Sequence, residues 1–235
     1  MEAEHESDRI GRSLFILFAK TFIMKLMIKH STVKNMENNI ELELRAEVSL
    51  DQLDGLLTDL NKGQKLLSHT KRLSVMFLGV INQVNFDIRV RTSSDGETEL
   101  VVKRGDYHAH NRVESSQKIK KDQFIGIVKI FSLFGFQSKV TERENFVFDL
   151  RNDTTMVLVK AGSIAYVEIE KMSHEKNIDK NKAELLCIIN NFNLKLIDNG
   201  DDFNELCDRL TRYCDWVFDG MANHIEKLEA MLKSY

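Results

Sequence analysis

From Asn38 onward the chain alternates stretches of period two with stretches of period three to four. In Asn39–Val48, Ile40, Leu42 and Leu44 point one way and Glu41, Glu43 and Arg45 the other, which is the signature of a strand with one apolar and one charged face. Ser49 and Gln52 then make a capping-box pattern before Leu50, Leu53, Leu56, Leu57 and Leu60, whose spacing predicts a helix ending near Gly63. Strands are predicted over Arg72–Leu78, Asn85–Thr92, Glu97–Arg104, Arg112–Lys118, Gln137–Glu144, Asn145–Leu150, Thr155–Lys160 and Ile164–Met172. The Asp95-Gly96 pair marks a hairpin between the second and third of these. Phe124, Ile127, Val128 and Phe131 stripe a helix closed by Gly135. Helices over Asn181–Phe192, near Phe203–Arg212 and over Cys214–Lys233 complete the pattern, with Trp216, Val217 and Phe218 opening the buried face of the last.

The residues before Met36 follow a different pattern. An apolar stretch between Leu14 and Ile28 is interrupted by Lys20 and Lys25, and neither uninterrupted run reaches the ~20 residues a spanning helix needs. The acidic start MEAEHESD does not fit a secretory signal. Residues 1–36 are therefore read as a leader: flexible or preceding the true start at Met36, lying on a membrane or partner as a basic amphipathic helix, or docked on the domain.

Composition narrows the function. With 43% hydrophobic residues, 235 residues can build one large domain with a full core. Thirty-three basic against 36 acidic residues leave a net charge of −3, which argues against a general nucleic-acid binder. Cys187, Cys207 and Cys214 form no CxxC pair and suit a reducing, cytoplasmic compartment, where they pack between helices. His108 and His110 could bind a metal from a strand or sit in a polar loop after Gly105; no third ligand stands nearby. No GxxxxGK[ST] loop and no GxSxG elbow occurs.

What stands out is charge repeated on one face of many strands: Glu41, Glu43 and Arg45; Arg89 and Arg91; Glu99 and Lys103; Arg112 and Glu114; Lys139 and Arg143; Glu168 and Glu170. One such strand is ordinarily a solvated outer face. Many of them, curled into a barrel with the charged faces inward, would line a lumen in which like charges repel unless ions of opposite sign sit among them. A polyphosphate answers the basic residues and a divalent cation the carboxylates, since hard cations take oxygen ligands and bind phosphate oxygens at the same time.

In these residues the chain resembles the CYTH superfamily of triphosphate tunnel metalloenzymes, which includes thiamine triphosphatases, inorganic triphosphatases and class IV adenylyl cyclases. The family's N-terminal ExExK strand is matched by Glu41-Leu42-Glu43-Leu44-Arg45, its RxR strand by Arg89-Val90-Arg91, its lone lysine by Lys103, the next Arg and Glu by Arg112 and Glu114, its later basic pair by Lys139 and Arg143, and its late ExE by Glu168-Ile169-Glu170. The similarity implies an α+β fold, a closed antiparallel β-barrel with surrounding helices, over residues 37–235. It also implies Mg²⁺ or Mn²⁺ on Glu41, Glu43, Glu168 and Glu170. The triphosphate would be gripped by Arg45, Arg89, Arg91, Lys103, Arg112, Lys139 and Arg143, with Arg45, Lys103 and Glu114 serving the chemistry.

The sequence departs from the family at three places. Arg45 replaces a lysine, Ser116 stands where a second acid after Glu114 is expected, and Met156–Gly162 lacks the aspartate usual before the late ExE. The resemblance thus implies a divalent-metal-dependent triphosphatase acting on inorganic triphosphate, thiamine triphosphate or a nucleoside triphosphate. The alternatives are a non-catalytic polyphosphate or nucleotide sensor, or an adenylyl cyclase. A homodimer is compatible with any of these.

Overall fold

The computed structural model describes residues 40–106 and 111–235, so the leader and the His108–His110 motif lie outside the described residues. Nine strands form one antiparallel sheet: β1 (Ile40–Val48), β2 (Lys65–Ile81), β3 (Val84–Ser93), β4 (Thr98–Arg104), β5 (Asn111–Lys118), β6 (Gln137–Asp149), β7 (Thr154–Ala161), β8 (Ile164–Ser173) and β9 (Trp216–Val217). Their order is β2-β3-β4-β5-β1-β8-β7-β6-β9, and an additional β2–β6 pairing closes the first eight into a barrel. Five helices surround it: α1 (Leu50–Gly63), α2 (Phe124–Ser132), α3 (Ile178–Asn191), α4 (Gly200–Tyr213) and α5 (Ala222–Leu232).

The apolar faces of the strands point outward, against the helices. Leu42, Leu44 and Ala46 of β1, Met156 and Leu158 of β7, and Val167 and Ile169 of β8 pack with Leu53 and Leu60 of α1 and Leu185 and Ile189 of α3. Leu73, Val75 and Phe77 of β2, with Val90 of β3 and Val140 of β6, meet Phe124, Val128 and Phe131 of α2 and Ile225 and Leu228 of α5. Each fully buried side chain of this kind contributes about 1.5–3 kcal/mol. Because side chains alternate along a strand, burying one face outward obliges the charged face to turn inward.

The predicted local signals are found in place. Ser49 Oγ accepts from the Gln52 amide and Gln52 Oε1 from the Ser49 amide, closing the capping box that starts α1. Gly96, at φ +88°, turns the β3–β4 hairpin where an L side chain would be strained.

Several expected boundaries are corrected. The strands expected over Gln137–Glu144 and Asn145–Leu150 are one strand, β6, because Lys139, Thr141, Arg143 and Asn145 keep a single phase through the polar middle. The strand expected over Arg72–Leu78 begins at Lys65, its first turn masked in sequence by a register shift between Leu66 and Ser68. The helix expected over Cys214–Lys233 is broken. Trp216 and Val217 form β9 and pair with Val140 and Lys139 of β6, Gly220 turns the chain at φ +77°, and only Ala222–Leu232 is helical. The strand expected over Ile164–Met172 is β8, and Lys171 near its end has its Nζ 2.6 Å from Glu184 Oε2 of α3.

Candidate functional site

Register assigns the inner face. Arg45 lies opposite Glu168 and Glu43 opposite Glu170 across β1–β8, and Glu41 opposite Arg112 across β1–β5. Lys103 faces Glu114 on one side and Asp87 on the other; Arg91 faces Glu99 and Ser74; Lys139 faces Met76; Arg143 faces Arg72. Directly opposed residues share a face, so all the site residues expected from the sequence, Glu41, Glu43, Arg45, Arg89, Arg91, Lys103, Arg112, Glu114, Lys139, Arg143, Glu168 and Glu170, look into one lumen.

The lumen has an acidic wall and a basic wall. On the acidic wall, carboxylate oxygens of Glu43, Glu168 and Glu170 lie within 4.8 Å of one another. Burial and the neighbouring Glu43 carboxylate raise the Glu168 pKa to about 7, and burial with Glu168 and Glu43 lifts Glu170 well above the usual carboxylate range. Glu43 goes the other way: burial would raise it, but Arg45, Lys103, a hydrogen bond with Glu168, and Arg112 hold it below that range. Glu41 stands apart from this triad, its Oε2 taking Lys103 Nζ at 2.7 Å, and the same nitrogen reaches Glu114 Oε2 at 2.7 Å.

Apart from Arg72, the cations described around the lumen are held by carboxylates. Arg45 Nε donates to Glu168 Oε1 at 3.2 Å and Arg45 also pairs with Glu43. Arg89 grips Asp87 with both ends of its fork, at 2.9 and 2.6 Å, and Arg112 NH1 reaches the same Asp87 at 3.5 Å. Arg91 Nε donates to Glu99 Oε1 at 2.7 Å. Lys139 and Arg143 share Asp215, at 2.9 and 2.7 Å, and Asp215 has no solvent-exposed side-chain surface.

One mouth of the lumen is covered by α4 and the turn after it. The Phe203 ring lies 5.1 Å from the Arg45 guanidinium carbon, and Thr211 Oγ1 accepts from Lys139 Nζ at 3.0 Å. Cys207, between them at helical spacing, is pushed to a raised thiol pKa by burial, with Lys139 and Arg45 opposing. Tyr166 of β8 is driven up to about 12 by burial and by Glu168, while Arg143 opposes.

Among the charged groups of the lumen, Asp87, Arg72 and Asp215 were absent from the sequence-derived set. Asp87 was legible, since it continues the alternation of Arg89 and Arg91 one step toward the N-terminus. Arg72 stands beside Lys71 at the start of the predicted strand, where a charge reads as solvated. Asp215 lies in what reads as a helix, and no local pattern announces that β9 will carry it to the lumen.

The same barrel occurs in solved structures. The PH1012 protein of Pyrococcus horikoshii superposes with a TM-score of 0.53 at 18% identity, over 66% of this chain and 91% of that one. The PH1819 protein of the same organism gives 0.53 at 16%, over 72% and 99%. A candidate adenylate cyclase from Vibrio parahaemolyticus gives 0.52 at 14%, over 67% and 91%. The fold these structures share with the chain is the closed antiparallel barrel with helices around it. No protein-family model matches the sequence, and no curated protein matches it either. At these identities the likeness extends to the barrel fold alone, and the chemistry of the lumen follows from its own residues.

The residues present suit a divalent cation on the acidic wall. Three converging carboxylates, two of them with pKa values raised by burial and mutual repulsion, form an all-oxygen donor set of the kind hard cations prefer. Among the described residues no helix is long and apolar enough to cross a membrane.

Proposed function

We propose that the chain is a divalent-metal-dependent phosphohydrolase whose substrate is inorganic triphosphate or a small organic triphosphate held in the lumen. The observation that carries the reading is the juxtaposition, in one buried channel, of the Glu43–Glu168–Glu170 cluster with a facing wall of arginines and lysines. The acidic cluster carries more carboxylates than its cations neutralise and the facing wall holds an unpaired Arg72, and a metal-bound polyphosphate answers both.

Glu43, Glu168 and Glu170 would hold Mg²⁺ or Mn²⁺, which supplies charge neutralisation at the phosphoryl oxygens and a polarised water. Arg89, Arg91, Arg112, Lys139 and Arg143 bind the phosphate chain and take up the charge that gathers on the leaving group, from positions fixed by Asp87, Glu99 and Asp215. Arg45 is locked between Glu43 and Glu168 on the acidic wall, so it would meet the phosphoryl group that the metal holds. Lys103 is fixed by Glu41 and Glu114, and Glu41 acts through that lysine as a positioning residue.

A second reading, a polyphosphate or nucleotide sensor with a weakened catalytic centre, is favoured by β7. Its inner face carries Thr155, Val157 and Val159 opposite Glu170, Glu168 and Tyr166, with no carboxylate. An adenylyl cyclase activity would use the same grip with ATP as the substrate. The test is phosphate release from tripolyphosphate, thiamine triphosphate and ATP with Mg²⁺ or Mn²⁺, with a thermal-shift titration of the same ligands alongside. Release supports the hydrolase, cyclic AMP from ATP the cyclase, and a shift without turnover the sensor. No shift and no turnover rejects all three.

A further inference from the structure

Among the described residues, the cations of the basic wall are each engaged by a carboxylate, Arg89 by Asp87, Arg91 by Glu99, and Lys139 and Arg143 by Asp215, with one exception. Arg72 of β2 has no such partner, and its Nε is shut off from solvent without a hydrogen-bond acceptor. It lies directly opposite Arg143 across β2–β6, and two residues before Ser74, which faces Arg91 across β2–β3. Guanidinium groups from three adjacent strands therefore converge on one part of the lumen. Around the barrel, β2 is four strands from β1 in either direction, so this wall faces Glu43 from the far side.

The electrostatics of the cluster follow from that placement. Burial and then the positive charge of Arg91 depress the Arg72 pKa, and Glu99 and Glu168 only partly compensate. A lysine here could discharge by losing its proton, but a guanidinium stays charged in proteins. A buried charge without a partner opposes folding, and an Arg in that state is matched by a ligand oxygen that accepts from its planar fork.

We propose that Arg72 is a phosphate-binding residue of the lumen, taking one phosphoryl group of the bound chain together with Arg91, on the wall across from the Glu43–Glu168–Glu170 cluster. The inference rests on the reading of the lumen as a triphosphate site and deepens it: it places one end of the anion against β2 and β3. It also gives Arg72 no part in holding the empty barrel together. That separates it from Arg89, whose removal would strand Asp87.

The test uses the full chain, as wild type, Arg72→Met and Arg72→Lys, with inorganic tripolyphosphate and Mg²⁺ as the probe. Two quantities are read: Tm without ligand, and tripolyphosphate affinity by calorimetry. Arg72→Met should leave the ligand-free Tm unchanged or raise it, and weaken binding by roughly tenfold or more, the scale of a lost charge-assisted contact. Arg72→Lys should recover part of the affinity, since it restores the charge but not the fork. A lower Tm in Arg72→Met would reveal a structural partner and overturn the proposal, as would unchanged affinity in that variant while the wild type binds. A wild-type chain that binds no tripolyphosphate removes the reading of the lumen, and this inference with it.

Discussion

The two walls of the lumen meet the same problem, a surplus of like charge in a confined space, and resolve it differently. On the β1–β8 wall the surplus is carboxylate, which can take up protons: Glu168 is raised to about 7, and Glu170 is also raised well above its usual range. On the β2–β3–β6 wall the surplus is mainly guanidinium, which cannot shed its charge, so the chain supplies a counter-carboxylate instead, Asp87, Glu99 or Asp215. The acidic wall is thus tuned by solution pH and the basic wall by sequence. Under the proposed function, a metal on one side would compete with protons, and an anion on the other with the protein's own carboxylates.

The harshest test of that contrast removes a carboxylate from the acidic wall. Glu168→Gln or Glu170→Gln should cost about a hundredfold or more in metal-dependent turnover, the scale of losing one prepared electrostatic group. The same variants should melt no lower than wild type without metal, since each relieves repulsion within the triad. Turnover that survives both changes would place the metal elsewhere.

The matching change on the basic wall should do the opposite to stability. Asp215→Asn leaves Lys139 and Arg143 buried without their shared counter-charge, which should lower stability by about 3 kcal/mol or more. The freed cations should bind tripolyphosphate more tightly, visible as a larger ligand-induced rise in Tm. If affinity falls instead, Asp215 orients the two cations and does not compete with the ligand.

The pH dependence has a definite sign. Glu168 has a folded pKa of about 7 against the 4.5 of an ordinary glutamate, so the folded state binds more protons between those values. Its contribution to metal-free stability is present below about 4.5 and is lost as pH rises through about 7. Divalent affinity should climb over the same interval as the proton leaves. Glu168→Gln should flatten both profiles, and a profile that keeps its shape in that variant assigns the titration to another group. The smallest effect is expected at the rim, where exposed Lys118 pairs with Glu97: Lys118→Ala should leave Tm and tripolyphosphate affinity unchanged.

How much of this was written in the chain divides along physical lines. Strand phase is local: Glu41-Leu42-Glu43 or Arg89-Val90-Arg91 shows which side chains travel together, and the barrel placed them where that phase required. Partnership is not local. Nothing near Arg143 indicates that a residue after α4 will neutralise it, because Asp215 arrives by way of β9 pairing with β6. Arg72 shows the same limit from the other side, since a charge beside Lys71 signals neither burial nor isolation until β3 and β6 close around it.

The outward-facing apolar surfaces of the strands carry a consequence for how such a protein changes over evolutionary time. The residues that hold the barrel together, such as Leu44, Phe77 and Ile169, lie between sheet and helices, and those that would meet a ligand lie on the opposite side of the same strands. Packing constrains the first set, and charge balance the second. Lineages can therefore rewrite the channel one compensated pair at a time while the scaffold drifts separately under its own rules. Barrels that superpose at 14–18% identity show how few residues in common this fold requires.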